Sequence, residues 1–246
     1  MKYNELGVNF SDDIVQVIKK HSIPMHWIFG SFGLYAKRVN IAMFLAYYEL
    51  FRRIVDVPGS IVECGVFQGN SLLSFAKFLE IFCPGDRLRK VIGFDTFEGF
   101  VSTHENDHPE VFSEHAKEGG WNSAQFKPAL DELIDIFHKE QFVPHNPRIE
   151  LVKGDICETL PIYIEQHPGL RISLLHIDVD LFEPSYAALK YLYPKVVSGG
   201  VVVLDDYAMS IWPGASKAFE EYFGKSQPKL QKFSWVRAPG AYFIKE

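Results

Sequence analysis

Aspartates come in two pairs in this sequence, Asp178 and Asp180 in "HIDVDLFEP" and Asp205 and Asp206 in "VVVLDDY". Each pair follows an apolar, β-branched run that reads as a buried strand. Crowded carboxylates raise one another's pKa and cost stability unless a cation neutralises them. Three oxygen ligands, with the remaining positions left to water and substrate, are how Mg²⁺ is usually held. Alternation along a strand points Asp178 and Asp180 to the same side, so either fits as the ligand from that strand. A helix opens near Pro184, and capping it suits Asp180. The metal set is then Asp178, Asp205 and Asp206.

Three further acids, Glu63, Asp95 and Asp155, stand in or just after the runs "SIVEC", "KVIGFD" and "RIELVKGD". The first run continues as "ECGVFQGNS", which spaces Gly65 and Gly69 as G-x-x-x-G. A nicotinamide or flavin site wants G-x-G-x-x-G, and acids at several strand ends would repel its pyrophosphate. The same acids suit a ligand bearing an ammonium, a sulfonium and ribose hydroxyls, and S-adenosylmethionine has all three. Asp95, at the second strand end, fits the ribose hydroxyls, and Asp155 the adenine amino group. Singly, each has a plainer explanation, since glycine after a strand makes a tight turn and aspartate there often caps a helix. The ordered series favours a cofactor site.

The elements that must position these residues alternate along the chain. Apolar residues at helical spacing predict helices over 11–20 and 38–54, within an N-terminal helical extension of residues 1–57. From 58 to 246 five apolar strands alternate with helices, including "SLLSFAKFLEIF", a segment near Asp131 to His138, and "WPGASKAFEEYF". Continuous apolar strands separated by helices predict an α/β fold with a mostly parallel sheet covered on both faces. The last stretch, "FSWVRAPGAYFIKE", reads as two C-terminal antiparallel strands, and residues 101–126 as a long irregular insertion.

The segments "IVECGVFQGNS", "GFDTFEGF", "VKGDICETLP", "HIDVDLFEPSYAALKYLYPKVVSGGVVVLDDY" and "PGASKAF" occur in the order found in the macrocin O-methyltransferase (TylF-like) family, and the chain resembles that family over about 58–223. The resemblance implies a class I methyltransferase (Rossmann-like) fold, S-adenosylmethionine as donor and a divalent ion, normally Mg²⁺. It implies that Asp178 is a metal ligand and the general base, with Asp205 and Asp206 as paired ligands. It also implies that Glu63, Gly65, Gly69, Asp95 and Asp155, with Ser71, Thr96 and Phe97 nearby, bind the cofactor. The acceptor implied is a small molecule, a sugar or glycoside of a natural product or surface glycan. Family members commonly have Trp-Arg-Gly-Gly where this chain has Phe67-Gln68-Gly69-Asn70, one glycine and one positive charge fewer.

In that chemistry the acceptor hydroxyl must lose a proton, and one aspartate cannot freely be both ligand and base. His104, His108 and His115, in the irregular insertion, offer alternatives on a loop that could close over the acceptor. His176, inside an apolar strand, reads as a satisfied core residue. Core packing accounts for most aromatics, Phe94, Phe97, Phe100 and Trp212 included, and Lys37 and Arg38 read as a solvated helix start. Asp178-Val179-Asp180 also matches a D-x-D site of a metal-dependent glycosyl or nucleotidyl transferase, and a non-catalytic cofactor-binding relative is a third reading.

Composition excludes other classes. A net charge of −6, with no lysine or arginine cluster, argues against nucleic acid. Three cysteines without a CxxC pair suit a reducing cytoplasm. The start lacks the pattern of an export leader, and apolar stretches such as "IAMFLAYYELF" fall short of a membrane span. Exposed apolar surface on the N-terminal helices would support a homodimer.

Overall fold

A computed structural model of the chain describes residues 3–108 and 114–246; residues 109–113 of the irregular insertion lie outside the described residues. The chain divides into two compact units, 1–45 and 46–246. The division falls inside a helix rather than at 57/58, because that helix's second half buries Ala46, Tyr47, Leu50, Phe51 and Ile54 in the larger unit.

The smaller unit holds helices α1 (Tyr3–Lys20), α2 (Met25–Gly30), α3 (Phe32–Tyr35) and the start of α4 (Arg38–Ile54). Trp27, Phe29 and Leu34 are largely exposed. Among the described residues no helix is long and apolar enough to cross a membrane.

The larger unit alternates as the sequence predicts: β1 (Ser60–Cys64), α5 (Asn70–Phe82), β2 (Val91–Asp95), α6 (Lys127–Glu140), β3 (Ile149–Lys153), α7 (Ile156–Gln166), β4 (Ile172–Ile177), α8 (Phe182–Leu192), β5 (Val196–Leu204), α9 (Pro213–Phe223) and β6 (Ala241–Ile244). The sheet order is β3-β2-β1-β4-β5-β6, parallel except for β6 against β5. Buried residues such as Val62, Phe94, Leu175 and Val202 form its core. Successive strands step outward one way from β1 and the other way from β4. The crevice beyond the carboxyl ends of those two neighbours is therefore where a ligand belongs.

Backbone bonds carry the alignment past the strand ends. Gly154 N donates to Asp95 O at 3.0 Å, Gly65 N to Phe94 O at 2.9 Å, Asp178 N to Cys64 O at 2.8 Å, and Asp205 N to Ile177 O at 3.0 Å. The residues that follow each strand are thereby held along one rim.

Of the two strands expected in 233–246 only β6 forms. The outer ladder stops at one rung, Gln231 against Tyr242. Pro239 has no N–H to donate, and Gly240 N instead donates to Asp205 O at 2.7 Å, which turns the segment back onto the end of β5.

Candidate active site

On one side of the crevice the carboxylates are occupied by backbone. Asp95 Oδ2 accepts from Val66 N at 2.7 Å and Phe67 N at 2.8 Å, and its Oδ1 accepts from Phe97 N at 2.6 Å. This one side chain fixes the loop after β1 and its own turn, where Phe67 and Phe97 both have positive φ. Thr96 Oγ1 closes the same turn by donating to Gly99 O at 2.8 Å. Phe97 is buried, with the Lys127 ammonium 5.0 Å from its ring centroid. Asp155 caps α7 by accepting from Cys157 N at 2.8 Å. Gly69 takes φ 81° at the start of α5. At Gly65 a Cβ would lie 1.7 Å from the Asp178 carbonyl oxygen, with φ at +90°, so only glycine lets β1 and β4 approach this closely.

On the other side the carboxylates face one another. Glu63 and His176 are register partners on β1 and β4 and are fully buried. His176 Nδ1 lies 3.0 Å from Glu63 Oε1 and its Nε2 3.3 Å from Asp205 Oδ1. One ring thus spans β1, β4 and the end of β5. Ligating atoms of His176, Asp178 and Asp205 all lie within 4.8 Å of one another. Asp180, at φ 59°, shares a hydrogen bond with Asp206. Glu63 Oε2 and Asp206 Oδ2 are buried without a hydrogen-bond partner.

The electrostatics follow from that crowding. Burial, then the charges of Asp205 and Asp206, hold Asp178 well above the usual carboxylate range. Asp180 is raised by burial, then by Asp206 and Asp178. Burial and the charge of Asp205 push Asp206 up to about 7. Burial alone would push His176 down, but the Asp205 and Glu63 carboxylates outweigh it and hold the imidazole well above its ordinary value. Tyr47, on α4, is raised by burial and by the charges of Asp205, Asp178 and Glu63, and its hydroxyl bonds to Ser71 in the first turn of α5.

The structure corrects two smaller expectations. Asp180 does not cap α8; its N-cap residue is Leu181, and the Phe182 N–H donates instead to Asp107 Oδ1 at 2.7 Å. The start of the irregular insertion is bolted down. Asp107 Oδ2 accepts from His104 N at 2.8 Å, and the His104 ring stacks on Phe182 at 4.7 Å, which leaves that histidine in a structural role. His115 stacks on Trp121 at 4.2 Å, and Trp121 meets Phe67 edge-on at 5.5 Å, beside the loop after β1. His176 is the satisfied core residue the sequence suggests.

The links from Glu63 to His176, from Tyr47 to Ser71 and from Asp107 to α8 are absent from the sequence reading. A signal existed for the first: polar residues inside apolar strands must find partners. Asp107 stands three residues after His104, the spacing of a reciprocal cap.

Similar proteins fix the lineage. The chain is 30% identical over 176 residues to 8-demethyl-8-(2,3-dimethoxy-alpha-L-rhamnosyl)-tetracenomycin-C 4'-O-methyltransferase of Streptomyces olivaceus, covering 70% of this chain and 62% of that protein. It is 25% identical over 170 residues to mycinamicin III 3''-O-methyltransferase of Micromonospora griseorubida, covering 68% and 61%. The chain therefore matches rather less than two thirds of the length of these curated relatives. The crystal structure of CalS11, a calicheamicin methyltransferase, superposes with a TM-score of 0.90 at 29% identity, covering 99% of this chain and 93% of that one. NovP, an O-methyltransferase with a TM-score of 0.60 at 22% identity, shares the fold over 82% of this chain and 79% of its own. With residues 49–245 matching the model of the macrocin-O-methyltransferase (TylF) family, across the whole sheet and both halves of the rim, the chain belongs to that family.

Proposed function

We propose that this protein transfers a methyl group from S-adenosylmethionine to a hydroxyl of a sugar-bearing small molecule, with a divalent cation, Mg²⁺, at the carboxylate cluster. The observation that carries this reading is the division of the rim: one side has a loop organised around Asp95, and the other has buried carboxylates without enough hydrogen-bond donors. The donor set suits a hard divalent ion, because Glu63 Oε2 and Asp206 Oδ2 lack partners and His176 is the one base among four neighbouring aspartates and Glu63. Asp178, Asp205 and Asp206 would hold the ion, which when bound supplies a Lewis acid that lowers the proton affinity of an acceptor hydroxyl.

The chain's own residues supply the rest. Gly65, Gly69, Ser71, Thr96 and Phe97 would shape the cofactor side around Asp95, and the remaining lone pairs of the Asp95 and Asp155 carboxylates would accept from the ribose hydroxyls and the adenine amino group. S-adenosylmethionine when bound supplies an electrophilic sulfonium methyl. Alignment of that methyl with the acceptor oxygen accounts for much of the rate. Asp178, half-buried at the crevice, would hold the ion through one carboxylate oxygen and accept the hydroxyl proton on the other as the carbon–oxygen bond forms and the carbon–sulfur bond breaks to release S-adenosylhomocysteine. Both nitrogens of His176 face carboxylates, so it acts as a positioning residue for Asp205 rather than as base or ligand. Glu63 then works through His176 and not on the cofactor directly.

Relatives named for O-methylation of a rhamnosyl tetracenomycin and of mycinamicin III support the acceptor class. Family membership weighs against the D-x-D glycosyl transferase reading. Cofactor supply points to the cytoplasm, and the exposed Trp27, Phe29 and Leu34 support a homodimer. Calorimetric titration with S-adenosylhomocysteine and with uridine diphosphate, each with and without Mg²⁺, tests the proposal. Binding of the adenosyl ligand is expected; its absence alongside tight uridine diphosphate binding that requires Mg²⁺ would replace methyl transfer with glycosyl transfer.

A further inference from the structure

Beside the carboxylate cluster the structure has a cavity of about 320 Å³, lined by Tyr207, Met209, Ser210, Lys232 and Arg237 among others. Its floor is the segment directly after Asp206, held by Met209 N to Asp206 O at 3.1 Å and Ala208 N to Ser216 Oγ at 2.8 Å. Its cations stand just before and within the stretch, from 233 on, that fails to form a strand. Gln231 bridges Tyr242, Phe233 stacks on the Tyr242 ring at 5.0 Å, and Gly240 N bonds to Asp205 O at 2.7 Å. Both ends of the segment are thus tied to the end of β5. A Cβ on Gly240 would lie 2.3 Å from the Tyr207 carbonyl oxygen, so this close return also needs glycine.

Lys232 and Arg237 have no hydrogen bond or ion pair among the described residues. Two solvent-exposed cations line one cavity of a chain whose net charge is −6, and the cavity wall begins at the residue after Asp206. A neutral sugar gains little from such a pair, whereas a phosphate would be repelled by the rim without it. Guanidinium, ammonium and the hydroxyls of Tyr207 and Ser210 are donors suited to phosphate oxygens.

We propose that the acceptor carries a phosphate or diphosphate on its sugar and that Lys232 and Arg237 receive that group while the sugar hydroxyl reaches Asp178 and Asp205. The shared chemistry is a phosphate linked to the sugar, from a sugar nucleotide or from a simpler glycosyl phosphate. This rests on the methyl-transfer reading for what the neighbouring carboxylates do.

The test is calorimetric titration of the full chain, in chelator to exclude metal-bridged phosphate, with inorganic pyrophosphate, uridine diphosphate and glucose 1-phosphate. S-adenosylhomocysteine serves as the reference ligand. The phosphate probes should bind, with affinity reduced about tenfold in Lys232→Ala or Arg237→Ala, about a hundredfold in the double variant, and progressively by added salt. Tighter binding of uridine diphosphate than of pyrophosphate would mark a sugar nucleotide; equal binding of all three would mark recognition of phosphate alone. No binding of any phosphate probe, the same affinity in the double variant, or a parallel loss of S-adenosylhomocysteine would overturn the proposal. Phosphate binding without any S-adenosylhomocysteine binding by the unaltered chain would sink the methyl-transfer reading and leave the phosphate site standing.

Discussion

Asp95 and Asp206 both stand where a strand delivers its last residues to the rim, yet their surroundings are opposite. Asp95 accepts three backbone N–H bonds, so its charge is spread over a loop that it also shapes. Asp206 has one buried oxygen with no partner and lies among other carboxylates. The difference teaches that a carboxylate at a strand end is one of two devices. It organises backbone where donors are plentiful, and it stores unfavourable charge where they are not. The first suits a neutral, hydroxyl-rich ligand edge, the second a cation.

The change expected to do most damage removes the boundary between the two sides. Gly65→Ala would drive a methyl into the Asp178 carbonyl at an already left-handed φ, at a cost of about 3 kcal/mol or more. Cofactor binding and metal binding should fall together. If S-adenosylhomocysteine affinity and the denaturant midpoint both stay unchanged, the sides are not coupled through this contact.

Asp205→Asn should separate them. It removes charge where the cation is proposed to sit and weakens the acceptor that faces His176. Turnover should drop about a thousandfold while S-adenosylhomocysteine affinity holds within about twofold. Equal loss of both would contradict distinct metal and cofactor roles. Asp95→Asn is the reciprocal case, with a smaller effect. An amide NH₂ would be placed against backbone N–H donors, which should cost about 1–3 kcal/mol of stability and about tenfold in cofactor affinity. The stabilisation by Mg²⁺, read as a shift in melting temperature, should not change.

Much of this arrangement is legible in the sequence, because apolar strands ending in acids report both the parallel sheet and the rim. The five parallel strands fall where hydrophobic runs predict, and so do α5, α6, α8 and α9. What the sequence does not carry is register. That Glu63 meets His176 depends on how β1 aligns with β4, and nothing local to either strand sets that. The same holds for Asp107, whose carboxylate caps a helix that begins 75 residues later in the chain. The segment 233–238 misleads for a different reason. Its aromatic and β-branched residues have strand propensity, but its place in the fold is decided by the Gly240 return to Asp205.

The smallest effect is a pH dependence confined to one side. Asp178, Asp180 and Asp206 have folded pKa values raised above those of the unfolded chain, Asp206 to about 7. Their contribution to stability is therefore fully present below about pH 4, the unfolded carboxylate range, and is lost as pH rises through the folded values. His176, also raised, has the same sign: its contribution is complete below about pH 6.5 and is lost as pH climbs through the folded value. The metal-free protein should thus lose stability toward alkaline pH, and a cation that displaces those protons should restore it. Between pH 6 and 7 the apparent Mg²⁺ affinity should rise about tenfold for each proton displaced, and the rise in melting temperature with Mg²⁺ should be larger at pH 8 than at pH 6. Stabilisation by S-adenosylhomocysteine, which engages the Asp95 side, should not share that slope. A Mg²⁺ effect that is flat with pH would mean that the buried carboxylates are not where the cation binds.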